Sequence, residues 1–116
     1  MQGIFLKFFV QESSRHHGIL TYEWLLEQAK SLGIHGGTAF RAIAGYGRHG
    51  QIHEDHFFEL AGDLPVEVGF AVTEIDAQRL LDCLAHEKLP LFYVKTAVEI
   101  GMLGSTADPM APPQAK

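Results

Sequence analysis

The sequence predicts an α+β fold in which two helices cover one face of a four-stranded antiparallel sheet. Four stretches carry the alternating or continuous apolar residues that are typical of strands, and two carry apolar residues at helical spacing. They follow one another in the order β-α-β-β-α-β. With 116 residues, of which 47% are hydrophobic, the chain has the size of one domain with one core.

The first strand is predicted from about Ile4 to Gln11. Its apolar residues alternate between two faces, with Ile4, Leu6, Phe8 and Val10 on one face and Phe5 and Phe9 on the other. The polar segment that follows, residues 12–18, is expected to be a loop.

The first helix is predicted from about Tyr22 to Leu32. Thr21 has a hydroxyl that suits an N-cap, and Gly33 suits the left-handed conformation that often ends a helix. The predicted core face consists of Tyr22, Leu25, Leu26, Ala29 and Leu32.

The second and third strands are predicted from about Thr38 to Tyr46 and from about Val66 to Val72. Thr73 is then expected to cap a second helix, with Asp76 three residues further on as the acidic partner of a capping box. The core side of this helix is predicted to contain Leu80, Leu81 and Leu84.

The fourth strand is predicted from Leu91 to Gly101. The order of elements is that of the ferredoxin-like fold, in which right-handed crossovers place both helices on one face of the sheet. Residues 1–103 are expected to form the domain. Residues 104–116 contain few bulky apolar side chains and are expected to be a disordered tail.

The strands have apolar side chains on both faces, although the helices can cover only one. Phe5 and Phe9 lie opposite the core set of the first strand, and the fourth strand likewise has apolar residues on each side. Leaving these side chains in water would forfeit about 1.5–3 kcal/mol each. The sequence therefore predicts that the second face meets another copy of the chain, unless the tail or a long loop folds over it.

Composition narrows the classes of function. A net charge of -5 argues against a protein that binds the phosphate backbone of nucleic acids. Cys83 is the single cysteine, so no disulfide can form within the chain. The apolar run near the N-terminus is too short for a signal peptide or a membrane span, and a cytoplasmic location is expected.

A specific motif lies at the end of the second strand. The segment "GTAFRAIAGYG" contains Thr38, Arg41, Ile43 and the Gly45-Tyr46-Gly47 triplet, and it is followed by Ile52-His53 and by Asp63-Leu64-Pro65. This pattern resembles a PII-like family whose members carry a Thr-x-x-Arg-Gly-Ile-x-Gly-Phe/Tyr-Gly segment. Ala42 departs from the pattern, which usually has glycine there.

The resemblance implies a homotrimer of ferredoxin-like subunits whose sheets face inward. It also implies that small molecules bind in clefts between subunits. The segment from Gly45 to Asp63 occupies the place of the loop that, in PII signal proteins, senses an adenine nucleotide or metabolite and docks onto a protein target. The chain is thus expected to be a cytoplasmic signalling module, with no direct insertion into a membrane.

Anion binding is the first chemistry that the segment suggests. Gly45 and Gly47 allow backbone N–H groups to approach a phosphate closely, and nearby arginines add positive charge. The alternative is that Gly-Tyr-Gly merely ends a strand with a turn. The candidate ligand-binding residues are Arg41, Gly45, Tyr46, Gly47, Arg48, His53 and Lys95; the alternative for Lys95 is that its stem covers the open sheet face.

Metal binding is the second chemistry. His49, His53 and His56 are spaced so that they would share one face of a helix, and imidazoles together with nearby carboxylates suit Zn²⁺, Cu²⁺ or Ni²⁺. His16 and His17 are candidates to supplement this set from a neighbouring loop. Solvated loop histidines without metal are the alternative. Catalysis is not expected, because the chain has no nucleophile elbow and no Walker motif.

Overall fold

The computed structural model describes residues 1–46 and 63–110, and these form a two-layer α+β domain. The strands are β1 (Gln2–Gln11), β2 (Arg15–His16), β3 (Ile19–Leu20), β4 (Thr38–Arg41), β5 (Pro65–Val72) and β6 (Phe92–Glu99), and the helices are α1 (Thr21–Ser31) and α2 (Glu74–Ala85). The main sheet has four strands in the order β4-β5-β1-β6, and every neighbouring pair is antiparallel. This topology confirms the predicted ferredoxin-like fold.

The segment between β1 and α1, of which residues 12–18 were predicted to be a polar loop, contains an additional hairpin formed by β2 and β3. Its two turn residues, His17 and Gly18, have φ values of 54° and 81°. Two consecutive residues with positive φ are the pattern of a type I′ turn, whose twist matches that of the flanking strands. A simple loop was therefore the wrong prediction here.

Strand β4 ends at Arg41, five residues before the predicted end at Tyr46. Its partner β5 begins at Pro65, and the N–H of Ala42 donates the last hydrogen bond to the Pro65 carbonyl oxygen at 2.9 Å. The pairing of β4 with β5 stops there because β5 has no residue before Pro65 with which β4 could pair. The predicted fourth strand is also shortened at both ends, to Phe92–Glu99.

Helix α1 begins differently from the prediction. The N-cap is Leu20 without a side-chain bond, and Thr21 is inside the helix and 1% exposed. Its hydroxyl lies 2.8 Å from the Ser14 hydroxyl, so that it is not available to cap. The predicted end is confirmed: Gly33 has a φ of 87°, and the N–H of Ile34 donates to the Ala29 carbonyl in the pattern of a Schellman motif.

Helix α2 begins as predicted. The hydroxyl of Thr73 accepts a hydrogen bond of 3.0 Å from the N–H of Asp76. Leu80 and Leu84 are buried on the core side, and Leu81 is half-buried.

The core lies between the two helices and one face of the sheet. Alternate residues are buried there, from Ile4 to Phe8 in β1 and from Val66 to Val72 in β5, and the rings of Phe8 and Phe70 meet edge to face with centroids 6.2 Å apart. From α1 the core receives Trp24, which is 4% exposed and was absent from the predicted core face, together with Leu25 and Ala29. Tyr22, Leu26 and Leu32 only border the core.

The segment after β6 has no helix or strand as far as Met110, the last residue that the structure describes. Pro109 and Met110 are half-buried. The boundary predicted between residues 103 and 104 stays a prediction, and residues 111–116 lie outside the described part of the chain. No helix within the described residues has the length and apolar character needed to cross a membrane.

Candidate functional site

The sheet face opposite the helices, called here the open face, is largely apolar. Strand pairing brings the Phe9 and Phe92 rings to 5.6 Å between centroids. The Phe5 ring lies directly over Gly69, where an added Cβ would be only 2.8 Å from the ring. By register, the open face comprises Phe5, Lys7, Phe9, Thr38, Phe40, Glu67, Gly69, Ala71, Phe92, Val94, Thr96 and Val98.

Several of these side chains are in contact with solvent in the single chain. Phe40 is 67% exposed, and Phe92 and Val94 are 44% and 41% exposed. Contiguous exposed apolar surface of this kind is typical of interaction sites. The alternation that predicted a second apolar face in β1 is therefore confirmed by the pairing register.

One ion pair stands in the middle of the open face. Lys7 Nζ lies 3.2 Å from a Glu67 carboxylate oxygen. The same ammonium group lies 5.7 Å from the Phe5 ring centroid and 6.0 Å from the Phe9 ring centroid. These distances allow cation–π attraction on both sides. Lys7 is thus held by its neighbours rather than free to reach far from the sheet.

A cavity of about 600 Å³ opens beside this ion pair. Its walls come from the open face, from the end of β5 and the start of α2, from the connection between α1 and β4, and from the final described residues, Pro109 and Met110. Polar groups in the wall belong to Lys7, His35, Thr38, Glu67 and Asp76. Pro109 and Met110 thus lie across this cavity from Phe5. The alternative considered for the open face was that the tail folds over it, but Phe40, Phe92 and Val94 stay exposed.

Residues on either side of the segment 47–62 are joined by backbone and side-chain contacts. We call this group, which consists of Glu12, Ser13, Arg41, Asp63 and Leu64, the loop base. Arg41 forms an ion pair of 2.6 Å with Glu12. The Glu12 N–H donates to the Leu64 carbonyl at 2.9 Å, and the Ser13 N–H donates to the Asp63 carboxylate at 3.0 Å. The two residues that follow β1 therefore bond to residues on both sides of the segment 47–62.

Packing against Pro65 explains why a glycine suits position 45. A Cβ added there would lie 3.3 Å from Cγ of Pro65, which is closer than most side-chain contacts. Beside it, Ile43 is 92% exposed and Tyr46 is 90% exposed. Two large apolar side chains are thus presented to solvent where the chain leaves the sheet.

The predicted ligand-binding residues fall into three groups. Arg41, Gly45 and Tyr46 lie at or beside the loop base. Lys95 lies on β6, at the opposite edge of the sheet from β4. Gly47, Arg48, His49, His53 and His56 lie outside the described residues.

Lys95 is on the face that carries the helices. It is paired with Leu6 in the register, and its Nζ lies 3.2 Å from a carboxylate oxygen of Glu74. The alternative that its stem covers the open face is therefore wrong. Three strand spacings, roughly 14 Å, separate the two edges of the sheet. Arg41 and Lys95 therefore lie at opposite edges of one chain.

A second group of polar side chains was only partly anticipated. His16 and His17, at the β2–β3 turn, meet Glu87, which follows α2; we call these three residues the histidine–glutamate cluster. The Nε2 atoms of the two histidines lie 2.9 and 2.8 Å from the same Glu87 oxygen. The sequence suggested the two histidines, but Glu87 is separated from them by 70 residues or more and carried no local signal.

The sequence is similar to that of known proteins of one family. The model of the DUF190 family, described as "Uncharacterized ACR, COG1993", matches residues 3–99. A UPF0166 protein of Aquifex aeolicus is 40% identical over 77 residues, which cover 66% of this chain and 73% of that protein. A UPF0166 protein of Methanocaldococcus jannaschii is 33% identical over 76 residues, covering 66% and 69%.

Two solved structures share the fold. One, from Thermus thermophilus, is assigned as a PII-like signalling protein, with a TM-score of 0.57, 22% identity, and coverage of 84% of this chain and 87% of that chain. The other is CPII of Thiomonas intermedia, a nitrogen regulatory PII-like protein bound to ADP, AMP and bicarbonate. Its TM-score is 0.58 at 15% identity, with coverage of 88% and 96%.

Proposed function

The chain belongs to the DUF190 family, and we propose that it is a PII-like regulatory protein: a cytoplasmic, non-enzymatic homotrimer that binds a small anionic effector between subunits. The segment 47–62 passes the signal to a protein target. The observation that carries the proposal is the loop base, which holds both ends of this segment beside an exposed arginine at the edge of an apolar sheet face.

Assembly through the open face follows from its composition. Aromatic and aliphatic side chains of β1, β4 and β6 lose water when copies meet, at about 25 cal/mol per Å² of apolar surface buried. The Lys7–Glu67 ion pair already satisfies the charges within that face. Three copies with their sheets inward bring the β4 edge of one subunit near the β6 edge of the next, which completes a cleft that a single chain lacks.

The loop base offers a direct way for an anion to act. The Arg41 side chain is 63% exposed, and its ion pair with Glu12 is a surface pair, a type of contact that contributes about 0–1 kcal/mol. A phosphate or carboxylate competes readily for such a guanidinium and binds it through two N–H groups. When the effector replaces Glu12 as the partner of Arg41, the ion pair that restrains the chain before the segment 47–62 is lost.

An adenine nucleotide is the first effector to test. CPII, which shares the fold, holds ADP, AMP and bicarbonate. Gly45 and Gly47 permit close approach of the backbone to phosphate oxygens, and Arg48 adds charge there. We expect ADP or AMP to bind the trimer.

Isothermal titration calorimetry with ADP, AMP, ATP and bicarbonate tests the proposal. Arg41→Ala and Arg48→Ala should each weaken binding by about tenfold or more, since a charge-assisted hydrogen bond contributes roughly 1.5–3 kcal/mol. Arg79→Ala is the matched control, because Arg79 also forms an exposed ion pair of 2.9 Å, with Asp76 on α2. Absence of binding for every anion, or equal weakening in the control, would reject the proposed site.

A divalent-metal sensor that uses His49, His53 and His56 is the alternative predicted from the sequence. These residues lie outside the described part of the chain, so this alternative stays a prediction. Calorimetry with Zn²⁺ and the double variant of His53 and His56 tests it.

A further inference from the structure

We propose that the histidine–glutamate cluster of His16, His17 and Glu87 is a binding site for a divalent transition-metal ion of the Zn²⁺ type. The site is formed by the β2–β3 turn and the residue that follows α2, and none of its residues belongs to the open face. It does not depend on the anion-binding function proposed above.

The ligand atoms converge on one point. The Nε2 atoms of His16 and His17 approach the same Glu87 oxygen, and one ligand atom from each residue fits within 4.8 Å of the other two. Tetrahedral Zn²⁺ with bonds of about 2.0–2.1 Å requires ligand atoms roughly 3.3–3.5 Å apart. The nitrogen–oxygen distances of 2.8 and 2.9 Å need to lengthen by only about half an ångström to admit the ion.

The donor set indicates the type of metal. Two imidazole nitrogens and one carboxylate oxygen favour Zn²⁺, Cu²⁺ or Ni²⁺ over Mg²⁺ and Ca²⁺, which prefer oxygen ligands alone. Three protein ligands leave a fourth position of the tetrahedron for water or another ligand. His17 forms the open side, since its side chain is 63% exposed while that of His16 is 17% exposed.

The surroundings hold the ligands in position. Trp24 is buried and meets the His16 ring edge-on, with centroids 4.4 Å apart. Glu87 is positioned by the two imidazoles, since both Nε2 atoms lie within hydrogen-bond distance of the same carboxylate oxygen.

The backbone at the cluster is unusual. Across residues 1–46 and 63–110, the non-glycine residues with positive φ are His17 and Lys88, each at 54°. One is a proposed ligand and the other directly follows Glu87. Such conformations are uncommon for residues other than glycine and are often found at ligand sites. The His17 turn and the residue after Glu87 thus both have left-handed backbone conformations where the three side chains meet.

Zinc titration of the chelator-treated 116-residue chain tests the site, with calorimetry for affinity and Co²⁺ absorption for ligand geometry. The background variant replaces His49, His53 and His56 by alanine, which removes the competing loop histidines. This background should bind one equivalent of Zn²⁺ and should give the absorption of tetrahedral Co²⁺.

Two substitutions in that background decide the outcome. Glu87→Gln and His17→Ala each remove one ligand at a partly exposed position and should weaken Zn²⁺ binding by about tenfold or more. His86→Ala is the matched control, because His86 precedes Glu87 but bonds through Nδ1 to the Asp82 carbonyl at 2.8 Å. Circular dichroism verifies that each variant is folded. Loss of all Zn²⁺ binding in the background, or unchanged affinity in Glu87→Gln, would overturn the proposal.

Discussion

The guanidinium of Arg41 lies 2.6 Å from the carboxylate of Glu12, and this contact ties the edge strand β4 to the end of β1. The backbone of Glu12 and Ser13 holds the other end of the segment 47–62 through Leu64 and Asp63. Glu12 and Ser13, which follow β1, thus contact residues of the chain both before and after the segment 47–62.

Glu12→Gln should tighten the binding of ADP or another anionic effector. The substitution removes the carboxylate that competes for Arg41, and the gain is limited to about fivefold because an exposed ion pair contributes about 0–1 kcal/mol. Calorimetry at low ionic strength measures the affinity, and added salt should reduce the difference. Glu27→Gln, on an exposed position of α1, removes the same charge and should leave the affinity unchanged. Weaker binding by Glu12→Gln would contradict the competition.

Phe9→Glu should break the trimer. The substitution places a carboxylate on the open face, beside Phe92, where assembly would bury it without a partner. Light scattering coupled to size exclusion should give three times the chain mass of 12.8 kDa for the wild type and a lower mass for the variant. Ile75→Glu is the control, since Ile75 is 72% exposed on α2 and should not affect assembly. A monomeric wild type at micromolar concentration would show that the open face does not assemble.

Thr73→Ala should lower the free energy of unfolding by about 1 kcal/mol, because it removes the hydroxyl that accepts from the Asp76 N–H. Thr73→Ser keeps this oxygen and should retain most of the stability. Urea denaturation followed by circular dichroism measures both. Equal free energies of unfolding for the alanine variant and the wild type would mean that water replaces the hydrogen bond to the Thr73 hydroxyl without loss of stability.

Local patterns predicted those features that depend on neighbouring residues. The alternation of β1 predicted both faces of the sheet, because side chains of a strand alternate whatever its partners are. Thr73 was identified correctly as an N-cap, whereas Thr21 was not, since its hydroxyl bonds to Ser14 in a hairpin that the sequence had suggested to be a loop. The same residue type thus has different roles according to contacts made elsewhere.

Features that depend on distant residues were not predictable. The end of β4 is determined by where β5 begins, and the partner of Lys95 is Glu74, on the helix side of the sheet. Glu87 joins His16 only because the end of α2 packs beside the β2–β3 turn. Arg41 was predicted as a site residue from its motif, but its contact with Glu12 required the β1 end to be placed in three dimensions.

Gly37→Ala should destabilise the protein, whereas the adjacent substitution Gly36→Ala should not. A Cβ at position 37 would overlap the Phe70 ring at Cε1, lie 2.7 Å from its Cδ1, and reach 3.0 Å from Leu26. Phe70 is 1% exposed within the core and cannot move without disturbing its packing. Overpacking of this kind costs about 1–3 kcal/mol.

At position 36 an added Cβ would have no atom within 4 Å, so Gly36→Ala tests the loss of glycine flexibility alone. Its effect should stay within about 0.5 kcal/mol, as for other surface substitutions. Chemical denaturation of the two variants under identical conditions provides the comparison. If both lose the same stability, the cost comes from the backbone of the connection between α1 and β4. A loss confined to Gly37→Ala, which we expect, would show that close approach of this connection to Phe70 requires the missing side chain.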